Sequence, residues 1–434
     1  MAIYGIDLGT TNSLIGLHSA GYLSEIVPSC VDIESGDAGR AYYDDPGAAR
    51  SFKVDMSMGT EGIRPRIASR YVLEALKFVA PDNPEDVVIS VPAYFSESQR
   101  MATMSAAKEA GLNVRALVNE PTAAAMYIAQ DKRGLFVVYD LGGGTFDCSI
   151  IDSRFGAFDV QATDGCKIGG DNFDINIMKY FLKNGRVPIQ RLNKDARFEI
   201  QHYATAMKIQ MQKQRIPLKA DLTQWGGICL DFTPEIYVQL MKLSFSDTIT
   251  CMKKLLAAWI PSTERYDILL VGGSTHCPYL CEWIEEVTGQ KPNELTYDPD
   301  RVVAQGAALY ADLLERGVLH TQVSDVTKQL GIGLWDGTIS VIVPANSKVP
   351  LSIEKMFTNN IEGDKLELDL YQGQGAMIQD NECIGTLIYD YGQVMAPRDG
   401  QVIVNLVIDS SGLITLTAKN LLGAAQTITI KRKD

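Results

Sequence analysis

Two glycine-rich turns with similar surroundings constrain the fold of this chain more than any other feature. Residues 3–15 contain a β-rich run, an Asp-Leu-Gly turn and a second β-rich run, and residues 137–150 repeat this order. Small turn residues between two β-rich runs predict a hairpin. The aspartates that open the two turns, Asp7 and Asp140, lie 133 residues apart in the sequence. That spacing fits two duplicated lobes, each with one such hairpin.

The same turns carry the residue types that hold a polyphosphate. Glycine lacks a Cβ atom, so the backbone N–H groups of a glycine-rich turn can come close to an anion. The aspartates repel phosphate. Their presence is compatible with phosphate binding when a divalent cation with its water shell lies between carboxylate and phosphate. A plain tight hairpin is the alternative for one copy, whereas two copies favour phosphate. The predicted phosphate contacts are Gly9, Thr10, Thr11, Asn12, Gly142, Gly143, Gly144 and Thr145, and the predicted metal ligands, through water, are Asp7, Asp140 and Asp147.

Several other classes of protein are disfavoured by the sequence. It contains no Gly-x-x-x-x-Gly-Lys-Ser/Thr, and neither glycine cluster fits Gly-x-Gly-x-x-Gly, so a P-loop and a Rossmann fold are not supported. A formal charge of −13 argues against wholesale binding to nucleic acid or to an anionic membrane, which needs clustered Lys and Arg. The eight scattered cysteines favour free thiols over a metal site or disulfides. With neither a leader pattern nor a membrane-length apolar run, we expect a cytoplasmic protein.

The order of β-rich and helical segments predicts an α/β fold followed by an all-β domain. Residues 171–215 show helical spacing, and the apolar run 268–271 leads into a Gly-Gly-Ser turn before another helix. Helical periodicity is nearly absent after about residue 318, and β runs replace it. These runs lie at 339–343, 365–371, 401–409, 413–419 and 426–431. We expect a two-lobed domain over residues 1–317, a linker over 318–328 and an antiparallel β-sandwich over 329–434.

Seven motifs in one order resemble those of the seventy-kilodalton heat-shock (DnaK-type) chaperone family, within the actin-like ATPase superfamily. Residues 5–13 resemble its first phosphate motif, 140–147 its second, and 272–275 its adenosine motif. The other four motifs lie at 88–95, 119–125, 169–174 and, together with 304–308, at 298–300. The resemblance implies duplicated actin-like, ribonuclease-H-like lobes that bind ATP or ADP with Mg²⁺. It also implies slow ATP hydrolysis and a β-sandwich that binds extended apolar polypeptide segments.

The resemblance further implies roles for single residues of the ATPase site. Lys53 stands where the family keeps the lysine that positions the attacking water, and a solvated surface lysine is the alternative. Glu120 and Asp140 match the carboxylates that organise metal, water and nucleophile, and Thr145 joins them in the implied catalytic group. The remaining implied nucleotide contacts are Gly169, Gly170, Lys208, Gly272, Gly273, Ser274, His276 and Asp300.

Two further groups of residues are implied outside the catalytic group. Pro92, Arg100 and Asp325 match an interdomain relay; taken alone, Pro92 is a strand terminator and Arg100 a surface charge. In the β-sandwich, Leu366 aligns with the central pocket for peptide and Trp335 with the arch over it. A plain core position is the alternative for Leu366.

The adenine side and the length of the first lobe depart from the family pattern. Thr205 stands where a glutamate is usual, and His276 replaces an arginine that contributes a permanent cation–π contact, so we expect weaker or altered nucleotide affinity. Only 67 residues separate Lys53 from Glu120, which predicts a trimmed peripheral subdomain in the first lobe and puts recognition by ordinary exchange factors in doubt.

The second half of the chain departs from the pattern as well. Polar residues replace most of the linker leucines at 320–324, so weak coupling between the domains is expected. Arg115 is a displaced counterpart of a co-chaperone arginine, which keeps a J-domain protein as a candidate partner. The sequence stops at Asp434 without the family's helical lid, and we expect bound peptide to leave quickly.

Three functional interpretations remain open at this stage. The first is a chaperone with slow, Mg²⁺-dependent ATPase activity, and the second is a nucleotide-dependent binding protein dedicated to one partner. The third is a small-molecule kinase of the same superfamily, which the Asn-Glu-Pro-Thr motif at 119–122 and the sandwich disfavour. Phosphate release without an acceptor separates the kinase from the other two. Binding to many apolar peptides separates the chaperone from the dedicated binder.

Overall fold

The predicted fold class, an α/β part followed by an all-β part, is confirmed. The computed structural model describes residues 2–56, 63–130, 132–154, 158–261, 263–277, 279–318, 329–344, 347, 350–373, 375–408, 414–420 and 425–428. The predicted linker, including Asp325, lies outside the described residues except for Val318. Among the described helices, none has the length and apolarity that crossing a membrane requires.

The first lobe is a mixed sheet that carries the first hairpin in its centre. Its strands and helices are β1 (Tyr4–Leu8), β2 (Asn12–Leu17), β3 (Tyr22–Leu23), β4 (Val27–Pro28), β5 (Val31–Asp32), β6 (Asp37–Ala38), α1 (Ile63–Val79), β7 (Asp86–Val91), α2 (Glu97–Glu109), β8 (Asn113–Asn119) and α3 (Glu120–Ile128). The main sheet has the order β3-β2-β1-β7-β8, with β1 antiparallel to β2 and parallel to β7. Strands β1 and β7 are buried along most of their length, as expected when helices cover both faces of parallel strands.

Local sequence sets where the helices of this lobe begin. Ser96 and Gln99 form a capping box at the start of α2, in which the Ser96 N–H donates to Gln99 Oε1 over 2.9 Å. Helix α3 begins where β8 ends, because Pro121 favours the first turn of a helix, where no N–H is needed. Glu120 is thereby fixed at a strand-to-helix junction, at the same end of the sheet as the first hairpin turn.

The second lobe repeats this arrangement around the second hairpin. Its elements are β9 (Leu135–Leu141), β10 (Phe146–Asp152), β11 (Asp159–Cys166), α4 (Gly170–Asn184), α5 (Lys194–Gln214), β12 (Leu218–Asp221), β13 (Cys229–Phe232), α6 (Pro234–Trp259), β14 (Asp267–Val271), α7 (Leu280–Thr288) and α8 (Val302–Glu315). Strand β9 is antiparallel to β10 and parallel to β14, as β1 is to β2 and β7. Asp140 lies opposite Asp147 across the second hairpin.

Small residues let the elements between the lobes pack closely. A Cβ atom at Gly306 of α8 would overlap the backbone of Ala123 in α3, and one at Gly5 of β1 would overlap the backbone of Ala308. One buried apolar cluster combines residues of both lobes, among them Val88 and Leu269. Helices α3 and α8 therefore belong to the core that joins the two hairpin sheets.

The last part of the chain is a sandwich of two antiparallel sheets. Its strands are β15 (Gln329–Gly333), β16 (Ile339–Val343), β17 (Leu351–Thr358), β18 (Gly363–Gly373), β19 (Asn381–Met395), β20 (Gln401–Ile408), β21 (Ile414–Asn420) and β22 (Ala425–Ile428). The sheets have the orders β16-β15-β18-β19 and β17-β20-β21-β22. Along β20 every second residue is buried, which is the period of a strand with one face on a core.

Candidate functional site

A cavity of about 660 Å³ opens between the two glycine-rich turns. Most of the candidate site residues of the two-lobed part line it. They are Asp7, Gly9, Thr10, Thr11, Asn12, Lys53, Pro92, Glu120, Asp140, Gly142, Gly143, Thr145, Asp147, Gly170, Lys208, Gly272, Gly273, Ser274, His276 and Asp300. Gly144, Gly169 and Arg100 are not among the lining residues.

The two turns meet at the bottom of this cavity. A Cβ atom at Gly143 would overlap the hydroxyl of Thr11, so glycine is required there for the turns to approach each other. The second turn is closed by a hydrogen bond from the Gly142 N–H to the Thr145 carbonyl over 3.0 Å. Residues 133 apart in the sequence thus face one cavity from opposite sides, as the duplication predicts.

Four carboxylates and one ammonium group converge beside the turns. Lys53 is only 4% exposed and forms an ion pair with Glu120, which excludes the alternative of a solvated surface lysine. Asp140 and Asp147 are buried across the second hairpin, and Asp7 lies at the end of β1. The Ser90 hydroxyl donates a hydrogen bond to Asp7 Oδ1 over 2.8 Å.

Burial and mutual repulsion raise the pKa of these aspartates. Desolvation, and then the charge of Glu120, raise the pKa of Asp7 to about 6. Desolvation is also the main cause that raises the pKa of Asp140 and of Asp147 well above the usual value, and neighbouring carboxylates add to it. The charge of Lys53 lowers the pKa of all three aspartates, but one ammonium group does not balance four carboxylates.

The residues present fit a divalent cation of the Mg²⁺ type. Such a cation prefers carboxylate and water oxygens as ligands, and its charge would offset the repulsion among the aspartates. Asp147 Oδ1 is buried and has no hydrogen-bond partner among the described residues, so it is free to accept a hydrogen bond from a metal-bound water. Asp7, Asp140 and Asp147 are the residues that would hold the ion.

The opposite end of the cavity is built from α4, α5 and the turn after β14. Lys208 Nζ pairs with Asp174 Oδ1 over 2.7 Å, and both side chains are largely buried. The Ser274 hydroxyl donates to the Gly142 carbonyl over 2.9 Å and so ties this end to the second hairpin turn. Gly272 has a φ of +85°, a conformation that favours glycine, and a Cβ atom there would crowd Asp140.

His276 lines the same end and is partly exposed. Its Nε2 lies 3.1 Å from Asp300 Oδ2. This hydrogen bond raises the pKa of His276 above its ordinary value, and the charges of Asp300 and Asp298 act in the same direction. The imidazole therefore keeps its proton to a higher pH than a free histidine does.

Two of the three residues of the implied relay, Pro92 and Arg100, lie in the described part of the chain. Pro92 directly follows β7 and lines the cavity. Arg100 is 6% exposed, and its Nη2 donates to Asn119 Oδ1 over 2.7 Å, so it is not a surface charge. Asn119 immediately precedes Glu120, which connects the buried arginine to the acidic group. Asp325 lies outside the described residues.

The two sandwich residues differ sharply in burial. Trp335 is 82% exposed in the turn between β15 and β16. Leu366 is 8% exposed and packs in the apolar core between the two sheets, which is its alternative, core position. A peptide contact by either residue stays a prediction.

Sequence reasoning missed several residues of the cavity wall. Asp171 and Asp174 belong to the motif at 169–174, which by itself indicates no role for either aspartate. Tyr43 and Gln212 also line the cavity. Neither carried a sequence signal, because Tyr43 follows a short 3₁₀ turn and Gln212 lies on an ordinary polar stretch of α5.

Comparison with known proteins gives two results. A family model described as "Hsp70 protein" matches residues 47–434. Two relatives named "Chaperone protein HscA homolog", from Haemophilus influenzae strains PittEE and 86-028NP, are each 30% identical over 469 residues. Each of these alignments covers 95% of this chain and 75% of the relative.

Proposed function

This chain belongs to the Hsp70 family, and from that premise we propose that its cavity binds ATP and ADP with Mg²⁺ and hydrolyses ATP slowly. The observation that carries the proposal is the meeting of two glycine-rich turns beside four carboxylates and one buried lysine. That donor set suits a polyphosphate with its cation.

The phosphate end of the cavity is where the chain's residues would act on the transferring group. Lys53 supplies positive charge beside the γ-phosphate, and Glu120 holds the ammonium group in place. Asp7, Asp140 and Asp147 would hold the cation. When bound, Mg²⁺ supplies charge that neutralises the phosphate oxygens. Burial of the acidic group excludes bulk water, which strengthens each of these interactions.

The other end of the cavity is proposed to hold the nucleoside. Lys208 is largely buried and fixed by Asp174, so it donates toward the cavity from a defined position. Ser274 is fixed by its bond to the second hairpin turn. His276 presents an imidazole in place of the family's arginine. We expect the contact between this ring and the nucleotide to weaken when the imidazole loses its proton.

The chain is an Hsp70-type chaperone, and we propose that its sandwich binds extended apolar polypeptide, with Leu366 and Trp335 in or near the peptide site. Both compared relatives carry the name of a chaperone, which supports this assignment over the dedicated binding protein. Pro92 and Arg100 connect the cavity to the rest of the first lobe and are proposed to report nucleotide state. A J-domain co-chaperone is the proposed second partner.

The test of the nucleotide proposal is calorimetric titration with ATP and ADP, with and without Mg²⁺, followed by a phosphate-release assay that contains no acceptor. We expect Mg²⁺-dependent binding and slow phosphate release. Absence of binding to both nucleotides contradicts the proposal, and release only in the presence of an added sugar would favour a kinase.

The polypeptide proposal is tested on a peptide array in the presence and absence of ATP. Saturable binding to many apolar peptides, weakened by ATP, is expected. Binding to none of them would leave the dedicated binding protein as the better interpretation. A Leu366→Ala chain that keeps its melting temperature but loses peptide would place Leu366 in the peptide site rather than in the core alone.

A further inference from the structure

A short segment of the first lobe reaches the second lobe across the mouth of the cavity. It comprises residues 40–51, which we call the cleft strap, and it connects the small β5–β6 hairpin to Lys53. Tyr43, near its middle, lines the cavity. None of the seven ordered motifs of the sequence includes this segment.

The strap has little regular structure but is held in shape by one arginine. Arg50 Nη2 donates to the carbonyls of Tyr42 and Tyr43 over 2.8 and 2.7 Å, and Nη1 donates to Ala48 over 3.0 Å. Ala49 and Val31 exchange two backbone hydrogen bonds, which anchor the strap to β5. The strap is therefore a loop whose shape is fixed by Arg50 and which is hydrogen-bonded to β5 of the first lobe.

Two contacts join the strap to helix α5 of the second lobe. His202 Nε2 lies 3.3 Å from the Tyr43 carbonyl, and the two rings meet edge to face with centroids 5.6 Å apart. The guanidinium of Arg50 lies over the ring of Phe198, 4.8 Å from its centroid. The same arginine thus shapes the strap and binds it to the opposite wall.

The end of the strap is tied to helix α4 by a hydrogen bond. Ser51 Oγ donates to Asp171 Oδ2 over 2.8 Å, a bond between residues 120 apart in the sequence. Ser51 has a φ of +51°, in the left-handed region that residues other than glycine enter at a cost. This strained conformation is retained two residues before Lys53, at a point where the serine side chain reaches the second lobe.

We propose that the cleft strap retains bound nucleotide by bridging the lobes over the cavity, and that Tyr43 and Ser51 set the rate of ADP release. The inference rests on the proposed function, because it requires nucleotide in this cavity. Release of ADP requires the mouth of the cavity to open. Opening breaks the Ser51–Asp171 and Tyr43–His202 contacts, so these contacts add to the barrier for release. They are not part of the acidic group that acts on the γ-phosphate.

The test measures release of radiolabelled ADP from the full chain, chased with excess unlabelled ADP in Mg²⁺. Ser51→Ala and Asp171→Ala are each expected to speed release about tenfold, the effect of a lost hydrogen bond to a carboxylate. The double variant is expected to be no faster than either single one, because both remove the same bond. Asp171→Asn keeps an acceptor oxygen and is expected to restore most of the slow release.

Tyr43→Ala is expected to speed release as well, and Tyr42→Ala is its matched control. The Tyr42 hydroxyl donates to Asp37 within the same lobe, so its loss is expected to leave the release rate unchanged. The melting temperature of each nucleotide-free variant verifies that it is folded. Equal release rates in Ser51→Ala, Tyr43→Ala and the unmodified chain would overturn the strap proposal while leaving nucleotide binding intact. A chain that binds no ADP would overturn both proposals.

Discussion

Lys53 determines the charge balance of the cavity at the scale of single residues. It is the cation paired with Glu120, and its charge lowers the pKa of Asp7, Asp140 and Asp147. Removing one member of a buried ion pair leaves the other charge without compensation, which costs more than the pair itself contributes. The lysine thus supports the acidic group before any ligand arrives.

Lys53→Ala is expected to keep ATP binding within about threefold and to lower the rate of hydrolysis about 100-fold, the size of effect when one group that stabilises the transition state is lost. Single-turnover phosphate release measures the rate, and calorimetry measures the affinity. Lys167→Ala is the matched control, since this lysine is 73% exposed and its Nζ lies 4.0 Å from the exposed Asp55 carboxylate. Undiminished turnover in Lys53→Ala would mean that the lysine has no catalytic role.

His276 gives the second prediction at this scale. Asp300 raises the pKa of His276, so the imidazolium persists above pH 6.5 and is lost as the pH rises through the raised value. If the charged ring faces adenine, the affinity for ATP is expected to fall about fivefold over that rise, the loss of one cation–π contact. The contribution of the His276–Asp300 pair to folding stability is lost over the same pH range.

The pH dependence is measured by calorimetric titration with ATP at several pH values between about 6 and 9. His276→Arg keeps its charge throughout this range and is expected to remove most of the decrease in ATP affinity. Any effect of the protonation of ATP itself is the same for both chains. An equal decrease in His276→Arg would show that another group is responsible.

At the scale of elements, the crossing of α3 and α8 depends on the absence of side chains. Gly306 lies directly against the backbone of Ala123, as Gly5 of β1 does against Ala308. Helix propensity alone would favour alanine over glycine in the interior of α8. Glycine is therefore present for close approach of the two helices rather than for flexibility.

Gly306→Ala is expected to lower the melting temperature by about 2–6 °C, because the added methyl group forces α3 and α8 apart at a cost of about 1–3 kcal/mol. Differential scanning calorimetry measures the shift. Gly134→Ala serves as the control, since a Cβ atom there meets nothing within 4 Å. A melting temperature equal to that of the control would show that the crossing tolerates a larger residue.

Elements with a local sequence signal could be predicted, and those without one could not. The two hairpins and the sandwich strands β16, β18, β20, β21 and β22 alternate or run apolar in short stretches, and they appear where the sequence places them. No β run is predicted for β15, β17 and β19, the other described strands of the sandwich. The cleft strap has no such pattern, because its structure comes from Arg50 and from partners more than 100 residues away. Only the folded chain brings those partners together.

At the scale of the whole molecule, the cavity and the sandwich draw on different parts of the chain. Every residue that lines the cavity lies between Asp7 and Val303. Among the described residues, the apolar clusters of the two-lobed part contain members before the linker alone, and the sandwich cluster contains members after it alone. Each part thus has a core of its own.

A fragment of residues 1–318 is therefore expected to fold and to bind ATP with the affinity of the full chain, within about twofold. Circular dichroism verifies folding, and calorimetry measures the affinity. A folded fragment that binds no ATP would show that the sandwich completes the nucleotide site, and an unfolded one would contradict the proposed domain boundary at 317.

The site could be predicted from the sequence to the extent that single motifs define it. Asp7, Glu120 and Asp140 stand in recognisable motifs and line one cavity. No motif indicates that Tyr43 lines the cavity or that Lys208 pairs with Asp174, because walls made by two distant segments depend on how helices and loops are placed. The family resemblance implied a role for Lys208 without revealing its carboxylate partner.

The packing of β1 against α8 also bears on how the chain is made. Gly5 contacts the backbone of Ala308, so β1 meets its helical cover only after roughly 300 further residues have been synthesised. At the usual pace of translation that interval is on the order of 15–60 s. During it the apolar side chains of β1 have no permanent partner on that face. The apolar face of β1 is therefore open to other contacts until α8 has been made.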